Sequence, residues 1–400
     1  MIVALTAMEP GGDATTTKAK STNDSERVST VLYAPKAGET GNLYSDVADG
    51  KLNPAVKDMP AKVYVPALRS NEVYVIDPVE RRVVDRFVVG AGPQHVVPGW
   101  DLSVLWVTNN AEGTTNGSLT PINPLTGKGG NPVPVEDPYN MYFTADGSSA
   151  IVVAEALKRL DFRDPHTMQL QQSVSAPECA GINHADFSVD GRYAIFTCEF
   201  QGSLVKVDIA RKEVSGYLKL PENAMPQDIR ISPDGKSFYI ADLKRGGVYT
   251  VAGDEFQVTG FIPTGIGTHS LTPSRDGKHL YVANRGIDRI GGPVRGKGSV
   301  SVIEFATDRV VADWSIPGGG SPDMGNISVD GKTLWLSGRY DNVVYAIDTT
   351  SGSVTTIPVG SEPHGLTVWP QPGKYSLGHT GNMRGSADFG QIGGPLARFQ

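Results

Sequence analysis

The stretch Asn183-His184-Ala185-Asp186-Phe187-Ser188-Val189-Asp190-Gly191 ends in an Asp-Gly turn, and close variants of it return along the chain. The clear copies of the turn are Thr144-Ala145-Asp146-Gly147, Ser188-Val189-Asp190-Gly191, Ser232-Pro233-Asp234-Gly235, Ser274-Arg275-Asp276-Gly277 and Ser328-Val329-Asp330-Gly331. Asp-Gly suits a tight hairpin because glycine takes positive φ at no steric cost. The turn glycines stand 44, 44, 42 and 54 residues apart. A period near 44 with four short strands per unit is the arithmetic of a β-propeller.

Each unit reads strand, turn, strand, loop, strand, turn, strand. Degenerate copies of the first strand at Gln94 to Trp100 and Pro363 to Trp369 bring the number of units to seven. Lys62 to Val65, Glu72 to Asp77 and Val83 to Val89 read as the second, third and fourth strands of a unit that lacks its first. His364 to Trp369, at the far end, is expected to supply it and close the ring. The fold expected is therefore all-β, a seven-bladed propeller of four-stranded antiparallel blades over residues 61–372. An irregular N-terminal arm, 1–60, would precede it and a C-terminal tail, 373–400, would follow. Within the arm only Val28 to Tyr33 has the composition of a strand.

Composition narrows the partners. A net charge of -7 offers no attraction to nucleic acid. No apolar run reaches the roughly 18 residues of a membrane span. Met1 to Met8 is apolar but short and lacks a basic leader, so the chain as it stands reads as cytoplasmic, or as exported if a leader lies outside it. Cys179 and Cys198 are the only cysteines. They are expected near one another at one face, as two buried inert thiols or, alternatively, as a disulfide or reducible pair.

Leu105-Trp106-Val107-Thr108-Asn109 and Leu280-Tyr281-Val282-Ala283-Asn284, with Val300-Ser301-Val302-Ile303 and Val343-Val344-Tyr345-Ala346-Ile347-Asp348, resemble the YVTN repeat of YncE-like bacterial seven-bladed propellers. The resemblance covers about residues 62–370. It implies the fold but no single activity, since that scaffold carries binding proteins, lactonases and metal enzymes.

The chemistry is sought where the first strands begin. Two residues after the Pro or Gly that usually opens each of them stand His95, Asn140, His184, Asp228, His269, Met324 and His364. Val96, Met141, Ala185 and Ile229, one residue on, have the apolar parity that packs blade on blade, so the other parity should face the central channel. His269 lies five residues before its turn serine, where His184 lies four before Ser188, and His364 has no clean turn to count from. A one-residue bulge in those two blades would restore the register.

Four imidazoles on one axis suit a transition metal, and Met324 tilts the balance towards copper, with iron or zinc as alternatives. His95, His184, His269 and His364 are thus the expected ligands. Asp228, Met324 and His379 are possible further ones, and Asp186 and Arg230 are expected to pair with each other behind them. Cys198, Glu199, Asn110, Asp242, Asn284, Arg285 and Arg339 would form a polar rim that selects a small-molecule substrate, and the Gly286 to Gly298 insertion would act as a lid. Glu155 reads as a solvated loop residue.

The leading expectation is a metal-dependent, copper-using oxidoreductase. A non-catalytic binding propeller and a lactonase-like hydrolase are the alternatives.

Overall fold

Alternating apolar residues in runs of five to seven, punctuated by turns, leave the chain no way to bury its apolar side except as packed sheets. The computed structural model describes residues 42–385 and shows that solution: seven four-stranded antiparallel sheets arranged as a propeller. The expected strand Val28 to Tyr33 lies outside the described residues.

Blade 1 is built as expected. Thr367–Trp369 pairs with Lys62–Ala67, which leads on to Glu72–Asp77 and Arg82–Val88. The first strands of blades 2 to 7 are Pro93–Pro98, Pro138–Phe143, Ile182–Phe187, Pro226–Ile231, Thr268–Pro273 and Pro322–Ile327. In blade 2 the outermost strand is broken into two short pieces, Lys128–Gly129 and Val133–Pro134.

The parity reading holds. Phe143, Phe187, Ile231 and Ile327 are buried in the layers between blades. A fully buried aromatic or aliphatic side chain of this kind contributes about 1.5–3 kcal/mol. The turn hydroxyls add a local lock, since Ser188 and Ser232 each donate to the aspartate two residues on.

The end of the channel nearest the Asp-Gly turns is covered by chain from both flanks. Leu43–Val47 forms a short 3-10 helix whose Tyr44 hydroxyl donates to the Ile231 carbonyl. Beyond blade 1, Tyr375–Ser376 and Met383–Arg384 pair as a hairpin. Its tip enters the channel beside blade 3, where Phe143 donates to the Leu377 carbonyl and His379 to that of Met141. Gly378, at φ +94, lies so close to Met141 and Tyr142 that no side chain would fit.

Cys179 and Cys198 form a disulfide, which corrects the expectation of two thiols. The repeat brings them together: Cys198 ends a second strand opposite Ile182, and Cys179 sits in the loop leading to that same residue. Both are completely buried.

A crosslink closing a loop of this size stabilises a fold by about 2–4 kcal/mol. Replacing both cysteines with alanine is expected to lower the unfolding free energy by that amount in a guanidinium titration. An unchanged midpoint, or two thiols reacting in the unreduced, unfolded protein, would refute the crosslink.

Candidate functional site

Each first strand described in full carries an irregularity near its start. In blade 5 Pro226 pairs with Asp242 and Ile229 with Ile240, so that Gln227 and Asp228 together oppose Ala241. The same shift occurs in blades 2, 3, 4, 6 and 7. Two residues facing one define a β-bulge.

This changes the expected ring. The bulge is not confined to the blades of His269 and His364, so it does not restore their register. By pairing, His269 matches Gln227, Asn183, Gln94, Tyr139 and Asp323, while His184 and His95 match Asp228, Asn140, Ser270 and Met324. His364, whose neighbour Pro363 bridges to Ala67, belongs with His269. Two storeys result, with His269 and His364 nearer the mouth and His95 and His184 one residue deeper. Both face the axis, since ring centroids meet at 4.8 Å for His95–His364 and 6.3 Å for His184–His269.

The deeper storey gains a third imidazole from the hairpin tip. His379, completely buried at φ +42, brings its ring within 4.6 Å of His184 and 5.4 Å of His95, and His95 and His184 are 5.3 Å apart. Among the described residues neither nitrogen of His95 has a hydrogen-bond partner, nor does Nε2 of His184. The Asn140 amide lies 3.1 Å from Nδ1 of His184 and 3.0 Å from Nδ1 of His379 and so orients both rings. Gly365 leaves the space that the His95 imidazole fills.

The upper storey is held differently. Asp323 lies 2.7 Å from His269 Nδ1 and 2.9 Å from His364 Nδ1. It also accepts from Arg285 at 2.7 Å, with Arg339 4.0 Å away. Nε2 of His269 faces Arg285 at 2.8 Å and that of His364 faces the Tyr139 hydroxyl at 3.4 Å. These two rings are therefore occupied.

Burial lowers the proton affinity of all five imidazoles. His95, His184 and His379 are held well below the ordinary histidine value, by burial first and then largely by one another or neighbouring cations. His269 comes down to about 4 and His364 to about 3, again chiefly through burial. Burial would raise the Asp323 carboxyl, but Arg285, His269 and His364 outweigh it and keep it ionised well below the usual range.

Other expected residues take structural places. Cys198 is in the disulfide. Asp242 accepts backbone N–H groups from Met225, Lys244 and Arg245, and Asn284 bonds Thr268, Ser299 and Ser301. These three residues end their second strands and tie down blade ends, so they do not form a rim. The position after the second strand carries the other expected rim residues, Asn110, Glu199, Arg285 and Arg339, with Glu155 there in blade 3 and leucine in blades 1 and 5. Glu155 is half-buried rather than solvated, and its carboxyl is pushed well above the usual range by burial and by Glu199.

Asp186 and Arg230 do not bond to each other as expected. Asp186 accepts from Ile231 and Arg384, and Arg230 donates to Asp228. Asp228 in turn accepts the Leu271 N–H of the next blade and lies 3.2 Å from His379 Nε2. Met324 is buried at the bulge of blade 7. In the Gly286 to Gly298 insertion, Arg295 and Gly296 donate to the Gly286 carbonyl and Gly291 donates to Tyr340 of the next blade.

Architecture and site define a seven-bladed propeller with a histidine-lined axial channel. The model of the YncE-like beta-propeller family matches residues 53–372, and the chain belongs to that family. No curated protein sequence matches it. Among solved structures it is similar to the periplasmic gluconolactonase of Pseudomonas aeruginosa, at 18% identity and a TM-score of 0.63 over 78% of this chain and 99% of that one. A chain of Kuenenia stuttgartiensis hydrazine synthase matches at 18% identity and a TM-score of 0.58, over 74% and 97%. The dihydro-heme d1 dehydrogenase NirN matches at 15% and 0.55, over 76% and 74%. Likeness at these identities shows the shared fold.

Two outcomes follow from the electrostatics. Unfolded histidine titrates near 6.5, above every buried imidazole here, so the unfolded chain holds more protons below that pH. Stability should be full above about pH 6.5 and fall as pH drops towards 4, by on the order of 1 kcal/mol per pH unit for each such ring. Asp137, raised to about 6 by burial, and Asp46, Glu155, Glu199 and Asp242, also raised, act in the opposite sense, but apart from Glu155 their shifts are smaller than those of the imidazoles. Denaturation midpoints measured in chelator between neutral pH and about pH 5 should therefore fall; a flat or rising profile would contradict the assignment. Separately, Asp323→Asn leaves two buried guanidiniums without their carboxylate and should cost about 3–5 kcal/mol, read by the same titration.

Proposed function

We propose that the channel is the active site of a metal-dependent enzyme acting on a small molecule, with His184, His379 and Asp228 as the ligands and His95 beside them. The observation that carries this reading is the pair of buried imidazoles His184 and His379, ring centroids 4.6 Å apart, with the His95 ring within 5.4 Å of both. A metal–nitrogen bond of about 2.0–2.1 Å and tetrahedral angles put ring centres of three ligands roughly 5 Å apart. Asp228 adds a carboxylate: its oxygen and one nitrogen each of His184 and His379 lie within 4.8 Å of one another. Asn140 would fix the ring orientations from behind, as partners of metal-bound histidine do.

The donors are imidazole nitrogen and carboxylate oxygen, which favours zinc or iron as readily as copper. We therefore place hydrolysis of a small ester or lactone ahead of oxidation. The gluconolactonase of the same fold is consistent with that order. Held by His184, His379 and Asp228, such an ion would supply Lewis acidity and activate a water as nucleophile. The residues of this chain keep the imidazoles neutral, exclude bulk water and restrict the way in to the gap between Glu199, Asn110, Arg285 and Arg339. The disulfide supports action in an oxidising compartment.

Elemental analysis of protein purified without an affinity tag tests the reading. About one transition-metal ion per chain is expected, falling at least tenfold in the His184→Ala, His379→Ala double variant and unchanged in His166→Ala, whose side chain is exposed. The same preparations should open simple lactones or esters only when loaded. Absence of metal, or equal metal in all three proteins, would sink the proposal; bound copper with oxygen consumption would replace hydrolysis by oxidation.

A further inference from the structure

The channel mouth is dipolar. The position that follows the second strand holds, from blade 1 to blade 7, Leu68, Asn110, Glu155, Glu199, Leu243, Arg285 and Arg339. Two adjacent acids thus face two adjacent arginines, with leucine or asparagine between the halves. On the basic side Arg285 and Arg339 share the single carboxylate Asp323, and Arg339 keeps a buried Nε without a hydrogen bond. Glu362 lies 3.8 Å from that Nε but is also paired with Arg69.

The acidic side lacks its counterpart. Among the described residues neither Glu155 nor Glu199 has an ion-pair partner, and Glu112 beside them is taken by Arg69 at 2.8 Å. Three buried oxygens there have no donor: Oε1 of Glu199, Oδ1 of Asn183 and Oε1 of Gln94, in side chains no more than 3% exposed. Asn183 and Gln94 stand at the bulge positions that face the channel, next to His184 and His95. Their amide N–H groups are directed elsewhere, Asn183 to Glu199 at 2.8 Å and Gln94 to Asn110 and Glu112 at 3.3 Å, which leaves the oxygens as the free ends. Tyr139, from the blade between them, adds an aromatic ring 5.4 Å from His95 and 5.8 Å from His184. Free acceptor oxygens with an aromatic ring nearby suit an ammonium group, which has three donors and no acceptor.

We propose that the molecule admitted by this channel is a small zwitterion, its ammonium group received by Glu199, Asn183, Gln94 and Tyr139 and its carboxylate by Arg285 and Arg339. This assignment rests on reading the channel as the substrate site and adds the class of compound that enters it. A neutral sugar lactone would leave the free acceptor oxygens of the acidic half and the Arg339 Nε without a charged partner, whereas a zwitterion offers each a charge-assisted bond.

Isothermal titration calorimetry with a series of unbranched amino acids of increasing chain length tests it, with the matching carboxylic acids and amines as probes that lack one charge. One chain length should bind at least tenfold more tightly than either single-charge relative. Glu199→Gln, which keeps the shape and the Asn183 contact, should weaken the zwitterion at least tenfold and leave the carboxylic acid unaffected. Arg339→Gln should weaken the zwitterion and leave the amine unaffected, and Glu155→Gln gives a second reading of the acidic half. Equal binding of single-charge probes, indifference to both Glu→Gln changes, or no binding of any zwitterion would overturn the assignment. The His184→Ala, His379→Ala protein should still bind the zwitterion, so loss of metal with retained binding counts against the metal centre alone. Metal retained without zwitterion binding counts against this inference alone.

Discussion

The bulge near the start of the first strands is the constraint on which the rest of the site depends. A regular strand would give the channel one side chain per blade at each level, and the next residue would turn into the layer between blades. Two residues opposite one break that alternation, and a second polar residue per blade reaches the axis just below the mouth. Gln94 with His95, Asn183 with His184, and Gln227 with Asp228 are the products. The doubling brings enough polar side chains into a narrow space to build two storeys of different chemistry. It also explains why so many of them are completely buried.

The two storeys divide the histidines by what else they touch. His269 and His364 flank Asp323, which is itself bound by arginine, and both their rings are committed. His95 and His184 keep free nitrogens because nothing in their own storey reaches them except Asn140 and the hairpin tip. Burial is the common cause of the low proton affinity in both sets, yet its consequences differ. In the upper set it helps to fix a charge network at the mouth, and in the lower it leaves neutral imidazoles facing one another.

Much of this was legible in the sequence, for physical reasons. The Asp-Gly period specified the blades, since positive φ at the turn restricts residue choice, and the apolar parity of Phe143, Phe187 and Ile231 specified which face packs. The strand supplied to blade 1 by the far end of the chain followed from the missing first strand. The placing of His269 and His364 did not follow, because a bulge leaves no composition mark. The five-residue count before Ser274 was its trace, and it signalled a different level of the channel rather than a local repair. The rim was read one residue early in part, since Cys198, Asp242 and Asn284 tie down blade ends while the next residue looks inward. Glu155 was passed over because a charged residue beside a loop has no periodic signal, although its alignment with Glu199 was available. His379 could only be suspected, as the path of a tail lies outside any repeat.

That tail has a consequence for the order of events in the life of the chain. His95 and His184 belong to blades 2 and 4, but the triangle they form with His379 requires a residue that follows the ring-closing strand Thr367–Trp369 in the chain and is carried on the hairpin beyond it. A nascent or truncated chain can build blades, but it cannot present the complete set of imidazoles. A chain cut short before the hairpin could close its ring of blades, yet His95 and His184 would face an axis without His379.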